Sequence, residues 1–372
     1  MALSYWEYKT WFTNVDFTIV GSGITGLSCA LELREMYPKA KILILERCAM
    51  PQGASTKNAG FACFGSVSEL LADLKTHTED ELLNLVEMRV KGLEVLKNRV
   101  GGQALGFKKN GGYELFFQSQ QDLYETCLDS VERVNRLLQP LFNDTIFSIK
   151  PNAQNFKNIQ PKLLFNKEEG ELDTGNMMRA LVDLAQHNTI QILNNCTVED
   201  YNDLGDWVVL KSSLAEFKTQ KLFIATNGFA QKLGISRVQP ARNQVLITGP
   251  IKNLNLTGTY HLDEGYTYFR TIDDRILLGG GRNLDFKGEQ TDSFGTTTQI
   301  QQYLERVLAE TILPGRRFEI EHRWSGILGV GDQKQPVLEP LSANVFCGVR
   351  LGGMGIAIGS LLGKKLAGLV KN

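Results

Sequence analysis

The sequence predicts a mixed fold: an α/β unit with a parallel sheet, assembled from separated stretches of chain, and an α+β unit built on an antiparallel sheet. Three observations predict it. The chain opens with strand, glycine turn, helix and strand; after about residue 240 it changes to short strands rich in β-branched and aromatic residues; and it closes with a strand, a glycine-rich turn and an apolar helix. At 372 residues, 42% of them hydrophobic, it is long enough for one large core or for two units sharing an interface.

The opening carries the most specific signal. DFTIV (16–20) reads as a short apolar strand, followed by GSGITG, the helical run LSCALELREMYP and a second strand, KILILE, ending at Glu46. That order is the context a dinucleotide fingerprint requires, so the first unit is expected to be Rossmann-like. Gly21 makes the turn, Gly23 lets the backbone approach a pyrophosphate and Gly26 lets helix and strand pack closely. The anion then meets unpaired N–H groups at the helix start, around Ile24 and Thr25. Glu46, followed by Arg47, is placed to accept hydrogen bonds from an adenosine ribose.

The chain then enters PQGASTKNAGFACFG (51–65), a loop of small residues. Ala54, Ala59 and Gly60 leave room for backbone threaded along an extended cofactor, and Ser55, Thr56 and Asn58 offer short polar groups. The plainer reading is a surface loop.

Helical periodicity covers 67–100 as two helices, then QDLYETCLDSVERVNRLL, and then a helix after GELDTG capped by Asp173 or Thr174. GGYELFF, QILNN and KLFIATNG read as strands, the last ending in a small-residue turn at Ala225, Thr226 and Gly228. QVLITGP, YTYFR and RILLGGG supply the antiparallel sheet. In NVFCGVRLGGMGIAIGSLLGKKLAGLV, the turn Gly352, Gly353, Met354, Gly355 and Ile356 gives a second glycine-lined helix start, whose partial positive charge could face a developing anion.

Composition narrows the function classes. Lys plus Arg (40) nearly cancels Asp plus Glu (41), which gives no basis for a nucleic acid or anionic membrane partner. Six cysteines without a CxxC pair and four histidines offer no metal-site spacing, and the thiols read as reduced. MALSYWEYKTWF lacks the pattern of a signal peptide and no apolar run is long enough for a membrane span, so a cytoplasmic protein is expected.

These motifs together resemble the D-amino-acid oxidase superfamily, which includes glycine oxidase, sarcosine oxidase and the gamma-glutamylputrescine oxidoreductases. The resemblance runs through nearly the whole chain: SYW at 4, VGSGITGLSCALEL at 20, LERCAMPQGASTKNAGF at 45, GELDTG at 170, CTVEDY at 196, IATNG at 224, PARNQ at 240, WSG at 324 and the closing GVRLGGMGIAIG. It implies non-covalent FAD, held by a discontinuous Rossmann-like domain (1–85, 160–240 and 335–372), with 86–159 and 241–334 forming the substrate domain. It further implies that Val198 contacts the adenine through its backbone, that the loop from Ser55 to Gly60 runs beside the isoalloxazine, and that the Gly352–Gly355 turn faces the flavin N1–C2=O edge, with Gly326 among the cofactor contacts. Tyr266, Tyr268 and Arg270 would then face the substrate, with Arg350 beside them.

Two departures from the family pattern stand out. Ile327 and Leu328 follow WSG where relatives often carry an arginine that clamps a substrate carboxylate, so Arg270, Arg282 and Arg350 are candidates to replace it, or the substrate lacks a carboxylate there. Met354 stands where histidine is common. The expected chemistry is oxidation of a small amine or amino acid at a C–N bond, giving an imine that water hydrolyses, with O2 or an electron carrier as acceptor. Arg270, Tyr268, Arg350 and Tyr266 are the candidates to orient the substrate, with His322 and Lys334 as weaker ones and Cys63 near the ring. Salt bridges or sheet packing are the plainer roles for these residues. Alternatives are a dehydrogenase or 2-hydroxy acid oxidation, and a non-catalytic flavin-binding module.

Overall fold

The computed structural model describes residues 3–371. Helix α1 (Tyr5–Phe12), closed by a capping box between Ser4 and Glu7, leads into β1 (Val15–Val20), α2 (Ile24–Met36) and β2 (Ile42–Leu45). The small-residue stretch that follows is not a plain loop. It holds a single helical turn, α3 (Ala54–Lys57), and β3 (Phe61–Ala62). Next come α4 (Val67–Asp73) and α5 (Glu79–Val100), β4 (Gly112–Glu114), α6 (Gln121–Leu138), β5 (Phe147–Pro151), β6 (Lys162–Asn166) and β7 (Gly170–Glu171). Helix α7 (Thr174–His187) starts at Asp173, whose carboxylate accepts from the Asn176 amide at 2.8 Å, so Asp173 is the cap.

After β8 (Gln191–Leu193), β9 (Val198–Asp203), β10 (Val208–Ser212) and β11 (Glu216–Ile224), a 3₁₀ segment at 227–233 crosses to β12 (Gln239–Thr248). Strands β13 (Thr259–Leu262), β14 (Thr267–Ile272) and β15 (Arg275–Gly280), helix α8 (Thr298–Val307) and β16 (Ile320–Val330) follow. The chain ends with β17 (Val337–Pro340), β18 (Val345–Val349) and α9 (Gly355–Gly368).

Two eight-stranded sheets organise the molecule. The first runs β17-β18-β11-β1-β2-β8, with the β9–β10 hairpin on the free half of β11. Its centre is parallel: β1 pairs with β2 and β11, and β11 with β18. Central strands covered on both faces need apolar side chains throughout, which accounts for ILIL in β2 and VFCGV in β18, every residue of which is buried. The second sheet runs β16-β12-β15-β14-β13-β4-β6-β5 and is antiparallel except where β13 meets β4. β6 pairs in this second sheet, so the sheet reaches beyond the expected limit at residue 159. Conversely, α5 packs on α9, beneath the first sheet. A Cβ at Gly92 would sit 2.0 Å from the Ala357 carbonyl oxygen, so only glycine permits that approach.

Candidate functional site

The carboxyl ends of β1, β2 and β11, and the turn after β18, open onto one cavity of about 750 Å³, roofed by the second sheet. Ligands of doubly wound sheets collect at this edge, where loops diverge and helix N-termini point inward.

The glycine turn after β1 forms one wall. Gly21 has φ +101°, and a Cβ there would lie 3.0 Å from the Ala225 carbonyl oxygen. Ser55 Oγ accepts from the Ile24 amide at 3.0 Å, linking the start of α2 to the α3 turn. Glu46 is 7% exposed and its carboxylate is fixed. Oε2 accepts from Ser22 Oγ (2.6 Å) and Ser22 N (3.2 Å), and Oε1 from Cys48 N (3.1 Å). Arg47, also on the cavity, lies 3.7 Å over the Phe229 ring.

Gly21, Gly23, Ile24, Thr25, Glu46 and Arg47 all line the cavity, as do Ala54, Ser55, Asn58 and Ala59 from the second stretch. Val198, Ala225, Thr226 and Gly326 line it as well, together with the closing turn from Gly352 to Ile356. Other residues expected at the cofactor stand off the cavity. Gly26 is packed against Gly21, where a Cβ would fall 1.9 Å from the carbonyl oxygen, and Gly60 is pressed on the Leu172 carbonyl. Gly228 backs onto Leu328, and the Thr56 hydroxyl is spent on the Pro51 carbonyl at 2.9 Å. They shape the wall from behind.

The cavity fits a long dinucleotide on its own chemistry. Two hydroxyls on its lining, Thr25 Oγ1 and Thr226 Oγ1, are buried without a hydrogen-bond partner, a cost that a polar ligand would remove. On the same lining, α9 begins without a side-chain cap at Met354, after two glycines with φ +56° and +89°. Two helix starts whose N-cap residues give no side-chain bond, α2 and α9, thus border one space, with the Ile24 amide of α2 taken by Ser55.

The second sheet supplies a different surface. Tyr266 and Tyr268 line the cavity with Asn243, which donates to the Tyr268 hydroxyl at 2.8 Å. Burial pushes the Tyr268 phenol well up, so it stays protonated. Arg270, expected at the substrate, is not among the residues that line the cavity. Its guanidinium turns beneath the loop at 59–60, where Nε donates to Ala59 O and Nη2 to Leu172 O (2.9 Å), with Glu171 at 3.5 Å.

Arg350, another candidate, is also absent from the lining. It is 9% exposed at φ +67°, with Nε donating to Gln335 O at 2.8 Å, so it braces the loop before β17. His322 is exposed beside Glu321, off the cavity. Lys334 does line the cavity, where its ammonium is paired with the buried Asp73 carboxylate.

Arg282 remains. It lines the cavity, its guanidinium carbon lies 5.6 Å from the Tyr266 ring centroid and 5.0 Å from that of Phe286, and it makes no salt bridge or side-chain hydrogen bond among the described residues. The cation is flanked by two aromatic rings while its N–H groups stay free.

Sequence reasoning missed a buried group beside these. His261 lines the cavity, with Nε2 at 2.5 Å from Glu169 Oε1. Cys63 lies close enough that the sulfur, imidazole and carboxylate atoms are within 4.8 Å of one another. Burial pushes the Cys63 thiol well up, with Glu169 adding to the effect, so it stays a thiol. Of this cluster the sequence pointed to Cys63 alone, and His261 and Glu169 carry no motif.

Comparison with known proteins agrees with this geometry. The DAO family model, described as FAD dependent oxidoreductase, matches residues 16–369. The chain is 22% identical over 376 residues to the probable oxidoreductase OrdL of Haemophilus influenzae, covering 96% of this chain and 83% of that protein. It is 20% identical over 372 residues to the gamma-glutamylputrescine oxidoreductase of Escherichia coli, with the same coverage. Among solved structures, glycine oxidase from Geobacillus kaustophilus superposes with a TM-score of 0.77 at 19% identity, covering 96% of this chain and 94% of that one. L-proline dehydrogenase from P. horikoshii gives 0.73 at 16%, covering 96% and 93%. Among the described residues, no helix is long and apolar enough to cross a membrane. The match through nearly the whole chain, joined to a cavity built for a dinucleotide, places this protein in the DAO family of FAD-dependent oxidoreductases.

Proposed function

We propose that this enzyme oxidises the C–N bond of a small amine or amino acid to an imine, which water then hydrolyses. The observation that carries the reading is Arg282, a cavity-lining guanidinium on the second-sheet side, beside the cavity residue Tyr266 and without a salt bridge or side-chain hydrogen bond among the described residues.

The parallel-sheet unit holds the cofactor non-covalently. The Gly21–Gly23 turn and the start of α2 take the pyrophosphate, Glu46 the adenosine ribose, and the Gly352–Gly355 turn the isoalloxazine edge. Bound FAD supplies the acceptor for the hydride leaving the substrate α-carbon. The protein's own part is to position. Arg282 binds a carboxylate, the tyrosines and Asn243 wall the reacting carbon, and the second sheet excludes water. No side chain need form a covalent bond. Names of relatives support a nitrogen-bearing substrate, since glycine, proline and gamma-glutamylputrescine all carry an oxidisable C–N bond.

The test is a turnover panel of primary and secondary amines, D- and L-amino acids, N-methyl amino acids and 2-hydroxy acids. Each is assayed with O2 and with an artificial electron acceptor, and products are identified. A carbonyl product with release of ammonia or an amine from one nitrogen compound supports the reading. Turnover confined to 2-hydroxy acids would overturn it.

A further inference from the structure

His261 sits in the middle of β13 at 5% exposure, and three separate elements build its partner. Glu169, from the turn between β6 and β7, is 1% exposed; its Oε1 accepts from His261 Nε2 at 2.5 Å and from Thr259 Oγ1 at 2.6 Å. Gly112 of β4 gives the carboxylate its room, since a Cβ there would lie 2.3 Å from it. The pair is directional. His261 is on the cavity lining and Glu169 is not.

Around the imidazole, the Phe61 ring makes an edge contact with centroids 5.1 Å apart, and Cys63 connects it to the closing turn through a sulfur 3.9 Å from Met354 Sδ. Nδ1 makes no hydrogen bond among the described residues. Burial works against a charge on the ring, and Glu169 outweighs it, holding the imidazole up at about 9, with Glu69 and Glu114 adding to the effect.

A buried carboxylate without a cation is strongly destabilising, but any internal lysine or arginine could serve that need. A cation placed between the carboxylate and an open cavity does something further. The pair becomes a dipole with its positive end at the wall, in a setting where charge acts over longer distances than in water. We propose that Glu169 holds His261 as an imidazolium directed into the cavity beside the Met354 turn, where its charge stabilises the negative charge the isoalloxazine gains on reduction. Glu169 is then a positioning residue. This rests on the FAD reading, and the test separates the two.

Sulfite bleaches an electron-poor flavin and needs no substrate, so its affinity reports the charge at the ring. Titrated into the holoenzyme, it should bind about tenfold or more weakly in His261→Gln than in the native protein, with FAD content unchanged. His261→Lys should restore the affinity. In Glu169→Gln the affinity should fall at neutral pH and return only as the medium is acidified below the ordinary histidine value of about 6.5, since burial then acts on the ring without its main counter-charge.

The second measurement is made on the native protein, whose four histidines keep nitrogen-15 imidazole NMR tractable. One imidazole, absent from His261→Gln, should remain doubly protonated at about pH 8. Native sulfite affinity in His261→Gln, or a neutral His261 at that pH, overturns the proposal. Failure of the purified protein to take up FAD would instead defeat the functional reading, leaving the NMR result to decide the protonation.

Discussion

Arg270 Nε donates to the Ala59 carbonyl oxygen at 2.5 Å, joining the middle of β14 to a loop 211 residues away. A second donation from Nη2 to Leu172 O, and the nearby Glu171, make the guanidinium a buried three-way tie between β14, the end of β7 and the loop that borders the cavity. Arg270→Met should therefore lower stability by about 3 kcal/mol or more, because two carbonyls and a carboxylate lose their cation. Denaturant unfolding measures this. A variant of native stability with a raised KM would mark Arg270 as a substrate group instead.

Arg282 is predicted to behave in the opposite way. It has no internal partner to orphan, so Arg282→Leu should leave the melting temperature within a few degrees of native. KM for a carboxylate-bearing substrate should rise about 10- to 100-fold, the scale of a lost charge-assisted hydrogen bond, while an amine without a carboxylate is little affected. Steady-state kinetics on matched substrates decides it, and equal losses for both would remove the carboxylate clamp.

Gly26→Ala tests the cofactor end. The added Cβ would fall 1.9 Å from the Gly21 carbonyl oxygen, forcing α2 away from the turn whose N–H groups are to meet the pyrophosphate. The variant should purify with little FAD, measured as the flavin-to-protein absorbance ratio. Full native loading would show that the turn is not the pyrophosphate site.

The His261–Glu169 pair predicts a pH dependence of stability with a definite sign. The folded-state imidazole is raised to about 9 from an ordinary value near 6.5. Its contribution is therefore complete below about pH 6.5 and is lost as pH rises through about 9. Glu114, which burial holds up at about 7 despite hydrogen bonds from Ser68 and Ser66, pushes in the same direction as it ionises. Glu69 and Cys63 also face the ring. Comparing native protein with His261→Gln isolates the histidine: the difference in unfolding free energy should shrink between about pH 6.5 and 9.5. A difference flat with pH would remove the charged pair.

The parts of the fold that sequence revealed are those written in consecutive residues. Gly21, Gly23 and Gly26 with Glu46 form a local grammar of strand, turn and helix, and the apolar runs of β2 and β18 announce a covered parallel sheet. Sidedness was legible too, since Tyr266 and Tyr268 share a face by the period of a strand. What escaped was long-range pairing. Arg270 lies on the same face as the tyrosines, but carbonyls at 59 and 172 decide where its guanidinium ends. Arg350 reads as a neighbour of the closing turn, yet a backbone carbonyl at 335 takes its side chain. Glu169 and His261, 92 residues apart, carry no motif, and only the pairing of β6, β4 and β13 brings them together.

The most direct test of the central claim is an anaerobic absorbance titration of the purified yellow protein with the best amine or amino acid from the panel, unlabelled and then deuterated at the α-carbon. The account predicts complete bleaching of the FAD band at one equivalent of substrate, severalfold slower with the deuterated compound because the α-C–H bond breaks as the flavin is reduced. A protein that holds no FAD, or an FAD band that no nitrogen compound bleaches, would contradict it.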